Sequence, residues 1–254
     1  MKKLLLILVL CLGLTACNEQ DLPLEETVEF IAPPGAAVMT CRVMAEEEGS
    51  LLLAKADGGK ADVFTASCRE AEVRFEDPAR TEIQEGDLVE IIFGGDIMET
   101  YPAQLGNVQE VWVWAEGFDD TANLCLEVFE DLAEEDAALA HGAKIIGLDL
   151  SQTALSPAEQ SAVALLLEWD TGLTVVQGTM EELGDQGYID MENLYWEEGY
   201  FLSVTEEERT DTSLTFSAQL WKSGLGALFY ADCTTTRTPN GPWSDYTIGA
   251  VAVA

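Results

Sequence analysis

Short runs of alternating hydrophobic and polar residues, separated by turns rich in Gly and Asp, fill residues 37–114. In the run Val38–Val43, the residues Met39, Cys41 and Val43 share one side, which is the period of a strand with one face toward a core. The later runs are as short and are bounded by turn residues in the same way. About five to seven strands at this spacing predict a small all-β domain, an OB-like barrel.

Residues 121–254 change to a helical period, followed by further strands. The apolar face of a first helix is formed by Leu124, Val128, Phe129 and Leu132. Capping boxes at Ser156–Glu159 and Thr179–Glu182 each predict the start of another helix. Alternation over Leu214–Trp221 then predicts the first strand of an antiparallel meander. Helices followed by a sheet make this half an α+β domain, and residues 115–120 are the predicted boundary.

The beginning of the chain has the pattern of an export signal. Met1-Lys2-Lys3 is basic, and Leu4–Leu14 is an apolar run of eleven residues. Such a run is too short to span a bilayer as a helix but fits the core of a signal peptide. An ordinary secretory signal with a chance cysteine at Cys17 is the alternative.

The segment Leu14-Thr15-Ala16-Cys17 resembles the cleavage box of bacterial lipoproteins. That resemblance implies a signal peptide over 1–16 and a lipidated Cys17, with palmitate-like acyl chains, as the first mature residue. Residues 17–36 then form the lipidated cysteine and an acidic tether. More than one acyl chain gives stable anchoring. We therefore expect a protein held by lipid on the extracytoplasmic face of the bacterial cell membrane.

A second resemblance covers residues 37–114. The segments Gly86–Ile91 and Gly95–Thr100, followed by Tyr101-Pro102-Ala103-Gln104, resemble an uncharacterised domain of lipoproteins from Gram-positive bacteria. The resemblance brings no catalytic residue. Residues 121–254 loosely resemble the α+β domains of the nuclear-transport-factor-2-like group, which implies a fold and no activity.

Composition narrows the function classes. The chain has 47 acidic and 12 basic residues and a net charge of −35, and loss of Lys2 and Lys3 with the signal peptide takes it to −37. Nucleic acid is therefore not an expected partner, because phosphate binding needs clustered Lys and Arg. The single histidine, His141, excludes zinc sites rich in histidine and limits triad chemistry to one residue.

Cysteines and aromatic residues are the remaining candidates for site residues. Export permits disulfides, and the domain split favours the pairs Cys41–Cys68 and Cys125–Cys233, with buried free thiols as the alternative. In the α+β domain, a concave pocket is expected to be lined by Trp196, Trp221, Tyr230 and Trp243.

The acidic residues give three further possibilities. Part of the spacing of a calcium loop is present at Asp119, Thr121, Asn123 and Glu130. Leu124 stands where such a loop needs glycine, so an EF-hand is rejected. Weak calcium binding stays open. Short acidic runs are most simply solvated surface. A pair of carboxylates could also hydrolyse glycans, although with 47 acids a chance pair is expected.

These observations favour a surface lipoprotein of α+β class with a binding or accessory role at the envelope. Its partner would be an envelope protein or a small ligand, and we expect no cofactor, metal ligand or catalytic residue. A carboxylate-dependent hydrolase of envelope or other glycans and a calcium-dependent interaction module remain as alternatives.

Overall fold

The structure of the protein is a computed structural model that describes residues 32–254. Two β-sheets and four α-helices make up this described part. The predicted signal peptide over 1–16, the lipidation site Cys17 and most of the tether lie outside the described residues. Within residues 32–254, no helix is both long enough and apolar enough to cross a membrane.

The first half of the described chain forms a sheet of eight strands. They are β1 Ala37–Glu47, β2 Ser50–Lys55, β3 Val63–Ser67, β4 Glu72–Phe75, β5 Leu88–Phe93, β6 Ile97–Met98, β7 Ala103–Leu105 and β8 Val108–Val113. The order across the sheet is β4-β8-β5-β1-β2-β3-β7-β6. The long strand β1 lies near the centre and pairs antiparallel with both β2 and β5.

The expected OB-like barrel is not confirmed, because this sheet is open within the described residues. Strands β4 and β6 end the sheet on opposite sides. They are four and two residues long, so they offer few backbone groups for the hydrogen bonds that would close the sheet into a barrel. Strands β4 and β7 also pair parallel with β8 and β3. The sheet is therefore mixed and does not form a simple meander.

The second half forms four helices and a six-stranded sheet. The elements are α1 Thr121–Glu135, α2 Ala137–Ala140, β9 Ile145–Gln152, α3 Pro157–Thr171, β10 Thr174–Gln177, α4 Met180–Asp185, β11 Gly199–Arg209, β12 Ser213–Ser223, β13 Gly226–Thr236 and β14 Ala250–Val253. The strand order is β10-β9-β11-β12-β13-β14. The two sheets and the few helices of the described residues agree with an α+β or mostly β class.

One edge of the second sheet corrects the sequence prediction. Strands β9, β10 and β11 are parallel, whereas β11 to β14 are antiparallel as expected. The parallel part exists because α3 carries the chain from the end of β9 back to the start of β10, and parallel neighbours need such a crossover. The expectation of a purely antiparallel sheet is therefore wrong at this edge.

Both predicted capping boxes are confirmed. At the start of α3, the backbone N–H of Glu159 donates to Ser156 Oγ at 3.3 Å, and the backbone N–H of Ser156 donates to Glu159 Oε2 at 2.7 Å. Thr179 and Glu182 make the same reciprocal pair at the start of α4. Helix α3 ends at Gly172, whose φ of 69° lies in the left-handed region that glycine adopts without strain.

The two halves share a hydrophobic core. Successive residues of β2 point to opposite faces of the first sheet, so Leu51 and Leu53 enter a cluster on one face while Leu52 and Ala54 face the other way. On that second side they meet α3, and Ala162 of this helix is completely buried there. Helix α3 is therefore packed between the first sheet and the second.

Candidate functional site

The candidate site is a groove between α1 and α3, floored by β11, which we call the α1–α3 groove. Its volume of about 620 Å³ lies within the roughly 300–1,000 Å³ that is usual for ligand pockets. The hydrophobic lining consists of Leu126, Phe129, Ala133 and Ala137 on the α1–α2 side, Leu166 and Leu167 on α3, and Leu202 on β11. The groove can therefore hold an apolar group of appreciable size.

Carboxylates surround the opening of this groove. Glu127, Glu130 and Glu134 follow one another along one face of α1, and Asp170 approaches from α3. All four are exposed, and none of the groove-lining residues is Lys, Arg or His. The entrance to the groove is therefore strongly negative.

Glu127, one of the acids at the opening, has a raised pKa because of burial and neighbouring acids. Burial raises this pKa above its ordinary value, and the negative charges of Asp131, Asp245, Asp120 and Glu130 raise it further. An approaching cation would relieve this repulsion. The opening is thus electrostatically suited to a positive group.

Tyr200 is the one residue of the floor that carries a hydroxyl. Its side chain is 4% exposed and lines the groove, and its hydroxyl makes no hydrogen bond within residues 32–254. Burial raises the pKa of Tyr200 to about 12, so the phenol is neutral at physiological pH. The hydroxyl oxygen is not one of the buried atoms without a partner, so it is accessible to a ligand that enters the groove and could hydrogen-bond with it.

The predicted aromatic pocket is not formed as one site. Trp196 and Trp221 lie in a small hydrophobic cluster with Leu183 of α4, whereas Tyr230 and Trp243 belong to the large shared core. All four are buried, and none lines the α1–α3 groove. Tyr230 borders a separate cleft of about 230 Å³.

The position of Trp221 explains why the alternation of β12 was misleading. The alternation over Leu214–Trp221 by itself places Leu220 on the apolar side of this strand and Trp221 on the polar side. In the structure both are buried, Leu220 in the shared core and Trp221 beneath α4 and its following loop. Because the second sheet is covered on both faces at this end, an alternating strand has no solvent-facing side there.

Trp243 is held by arginines and hydrogen bonds. The guanidinium of Arg237 lies 4.2 Å from its ring centre and that of Arg209 lies 5.4 Å away, so both make cation–π contacts. The indole N–H donates to Thr121 Oγ1 at 3.0 Å, and the backbone N–H donates to the carboxylate of Asp120 at 3.2 Å. These contacts fasten the loop before β14 to the start of α1.

The residues with partial calcium-loop spacing are used differently. Asp119 pairs with Arg209 at 3.2 Å and with Arg237 at 3.5 Å, and it also accepts a hydrogen bond from the backbone N–H of Thr121. Its negative charge is therefore already balanced by arginines at the start of α1. Within residues 32–254, no group of three or more possible metal ligands is present.

The four cysteines of the described chain are buried free thiols, so neither predicted disulfide is present in the structure. Cys41 and Cys68 share the core of the first sheet, and Cys125 and Cys233 share the common core. Burial raises the pKa of Cys41 and of Cys125 to about 12 and disfavours the reactive thiolate. His141 is exposed after α2, so it does not activate any of these buried thiols.

Sequence reasoning did not predict the polar residues of the groove as one site, and it considered Glu130 only as part of a calcium loop. Three of the acids, Glu127, Glu130 and Glu134, have a helical spacing that was readable in the sequence, but such spacing is typical of any solvated helix face. Nothing local distinguishes Tyr200 from the other aromatic residues of the strands. Only the packing of β11 beneath two helices brings it to the acids.

No protein-family model, no curated protein and no solved structure matches this chain.

Proposed function

We propose that this protein is an extracytoplasmic lipoprotein of a bacterial cell membrane, anchored through Cys17, and that it binds an apolar ligand in the α1–α3 groove. The observation that carries the binding function is the α1–α3 groove itself, which has a volume of about 620 Å³, an apolar lining and the largely buried Tyr200 at its floor. The basic start, the apolar core and the cleavage box at Leu14–Cys17 support the anchor.

Binding accounts for the groove better than hydrolysis does. A glycosidase needs two carboxyl groups deep in a cleft, about 5–10 Å apart, with one pKa raised enough to keep an acid protonated. The carboxylates of the α1–α3 groove are exposed at its opening, and its depth is hydrophobic apart from Tyr200. The arrangement suits the retention of a molecule and offers no acid–base pair at the floor.

The calcium-dependent alternative receives no support from the start of α1. Asp119, which would be the first ligand of the loop, is paired with two arginines. A calcium ion there would have to displace both cations. We therefore propose a binding role that does not depend on calcium, with an unchanged melting temperature in added calcium as the check.

The anchor is tested by membrane fractionation of the Cys17→Ala variant. We expect this change to move the protein out of the lipidated membrane fraction, since the acylated cysteine provides the attachment. Cys11→Ala is the matched control, because Cys11 lies inside the predicted signal peptide and is removed with it. Unaltered fractionation and lipidation of the Cys17 variant would disprove the anchor.

The binding function is tested on residues 18–254, which retain every described element and lack only the signal peptide and the lipidated cysteine. A neutral apolar dye such as Nile red should become fluorescent in the presence of this form. Ala133→Trp, which places a large side chain inside the groove, should abolish the signal. Ala138→Trp on the exposed part of α2 is the control and should preserve it. Equal dye binding by both variants would rule out this groove.

A further inference from the structure

We propose that the ligand of the α1–α3 groove is an apolar amine: a hydrophobic chain or ring that carries a protonated amino group. This inference rests on the proposed binding function and adds the chemical class of the ligand. It combines the hydrophobic lining, the four carboxylates at the opening and the hydroxyl of Tyr200 at the floor.

The ends of two helices contribute to the negative character of the groove. Glu134 lies in the last turn of α1 and Asp170 in the last turn of α3, and both line the groove. The carboxyl end of a helix carries partial negative charge, so acids are unfavourable there and cations are favourable. Neither helix has a basic residue in its last turn. A bound cation would offset this repulsion at both helix ends.

Tyr200 adds a directional contact at the floor of the groove. Its neutral hydroxyl can accept a hydrogen bond from an ammonium group or donate one to a ligand oxygen. With acids at the opening and no basic side chain in the lining, a positive group has the larger number of favourable contacts. An ammonium that reaches the floor could donate a hydrogen bond to the hydroxyl of Tyr200, which makes no other hydrogen bond within residues 32–254.

The lining also excludes other classes of ligand. An alkyl carboxylate would bring a negative charge next to Glu127, Glu130, Glu134 and Asp170. A polyamine without a hydrophobic part, or a bare metal ion, would leave the apolar lining exposed to water. A neutral alcohol would fill the hydrophobic part but would not compensate the acids. Only a ligand that is both hydrophobic and cationic suits the apolar lining, the acids at the opening and the hydroxyl of Tyr200.

A matched series of ligands tests this class. Octylamine, octanol, octanoate and spermidine are titrated into residues 18–254 loaded with Nile red, and displacement of the dye is measured. Octylamine should displace it at a concentration about tenfold lower than octanol, the size expected for a hydrogen bond that involves a charged group. Octanoate and spermidine should be the weakest.

Variants then assign the preference to individual residues. The double variant Glu130→Gln and Asp170→Asn should remove most of the advantage of octylamine over octanol and leave the affinity for octanol unchanged. Tyr200→Phe should weaken octylamine binding without loss of Nile red fluorescence. The matched control, Asp185→Asn with Glu192→Gln, removes the same charge from exposed positions outside the groove and should alter neither affinity.

The outcomes separate the two proposals. Equal displacement by octylamine and octanol would overturn the cationic ligand while the apolar groove stands. Stronger displacement by spermidine would also overturn it, since charge alone would then suffice. If the control variant lost the advantage of octylamine over octanol to the same extent, the preference would come from the overall charge of the protein, and the proposed site would be overturned. Absence of dye binding in the unmodified protein would overturn the proposed function as well.

Discussion

The guanidinium of Arg42 donates a hydrogen bond from Nε to Glu159 Oε1 at 3.2 Å, although the two residues are 117 positions apart. Arg42 lies on β1 of the first sheet, and Glu159 lies in the first turn of α3. The same guanidinium donates to the backbone oxygens of Gly86 and Gly117, and Glu159 also accepts from the backbone N–H of Ser156. This pair therefore connects the first sheet to the capping box of the helix that both halves share.

Replacement of Arg42 should measure the strength of this connection. The side chains of Arg42 and Glu159 are only 16% and 13% exposed, so Arg42→Met leaves a largely buried carboxylate without its charged partner. We expect a loss of about 2 kcal/mol in the free energy of unfolding, measured with urea. Together with Glu159→Gln and the double variant, this change completes a double-mutant cycle that gives the coupling energy between Arg42 and Glu159.

Arg69→Met is the matched control for this cycle. Arg69 pairs with Glu48, but their side chains are 65% and 84% exposed. Ion pairs at such positions contribute about 0–1 kcal/mol, so this change should have a much smaller effect. Equal losses from Arg42→Met and Arg69→Met would contradict the structural role of the Arg42–Glu159 pair.

The shared core predicts that the two halves unfold together. Ala162 of α3 is completely buried, so Ala162→Leu should overpack this core and cost about 1–3 kcal/mol. Hydrogen exchange followed by mass spectrometry should show both sheets losing protection together. Ala138→Leu at an exposed position should be nearly neutral. Loss of protection in the second sheet alone would instead indicate two independently stable domains.

Asp119 should make part of the stability dependent on pH. Burial alone would raise its pKa, but hydrogen bonds from Thr121 and the charges of Arg209 and Arg237 outweigh burial and lower it. The resulting stabilisation is complete above the unfolded pKa of about 3.9 and is lost as the pH falls through the lower pKa of the folded state.

We therefore expect Asp119→Asn to cost about 1–2 kcal/mol in urea unfolding at pH 7. The difference from the unmodified protein should shrink as the pH falls below about 4, because protonation then removes the same charge from Asp119. Asp185→Asn, at an exposed position on α4, is the control and should have the same free energy of unfolding as the unmodified protein at pH 7 and below about pH 4. A constant difference across the pH range would contradict the assigned pKa direction.

The thiols give a direct test of the predicted disulfides. Because Cys41, Cys68, Cys125 and Cys233 are buried thiols in the structure, native residues 18–254 should react very slowly with a thiol reagent. After denaturation without a reductant, all four should react. Two reactive thiols would indicate one disulfide, and none would indicate both predicted pairs.

Local elements could be predicted because their signals are local. The capping box at Ser156–Glu159 needs only two side chains and their own backbone, so its sequence is sufficient to place the start of α3. The limits of the first sheet, Ala37 and Val113, agree with strand patterns and turns over 37–114. The crossover at β9–α3–β10 could not be read in this way, since parallel pairing depends on distant partners.

The sequence by itself determined the acidic composition, the starts of α3 and α4 and the extent of the strand-rich first half, and the export signal that ends at Cys17 stays a prediction. Only the tertiary structure decided which faces are covered. It buried Trp221 beneath α4, placed α3 between the two sheets and put Tyr200 at the floor of the α1–α3 groove. The reason is physical: periodicity shows that a residue faces a neighbour, but the identity of that neighbour depends on contacts between distant parts of the chain.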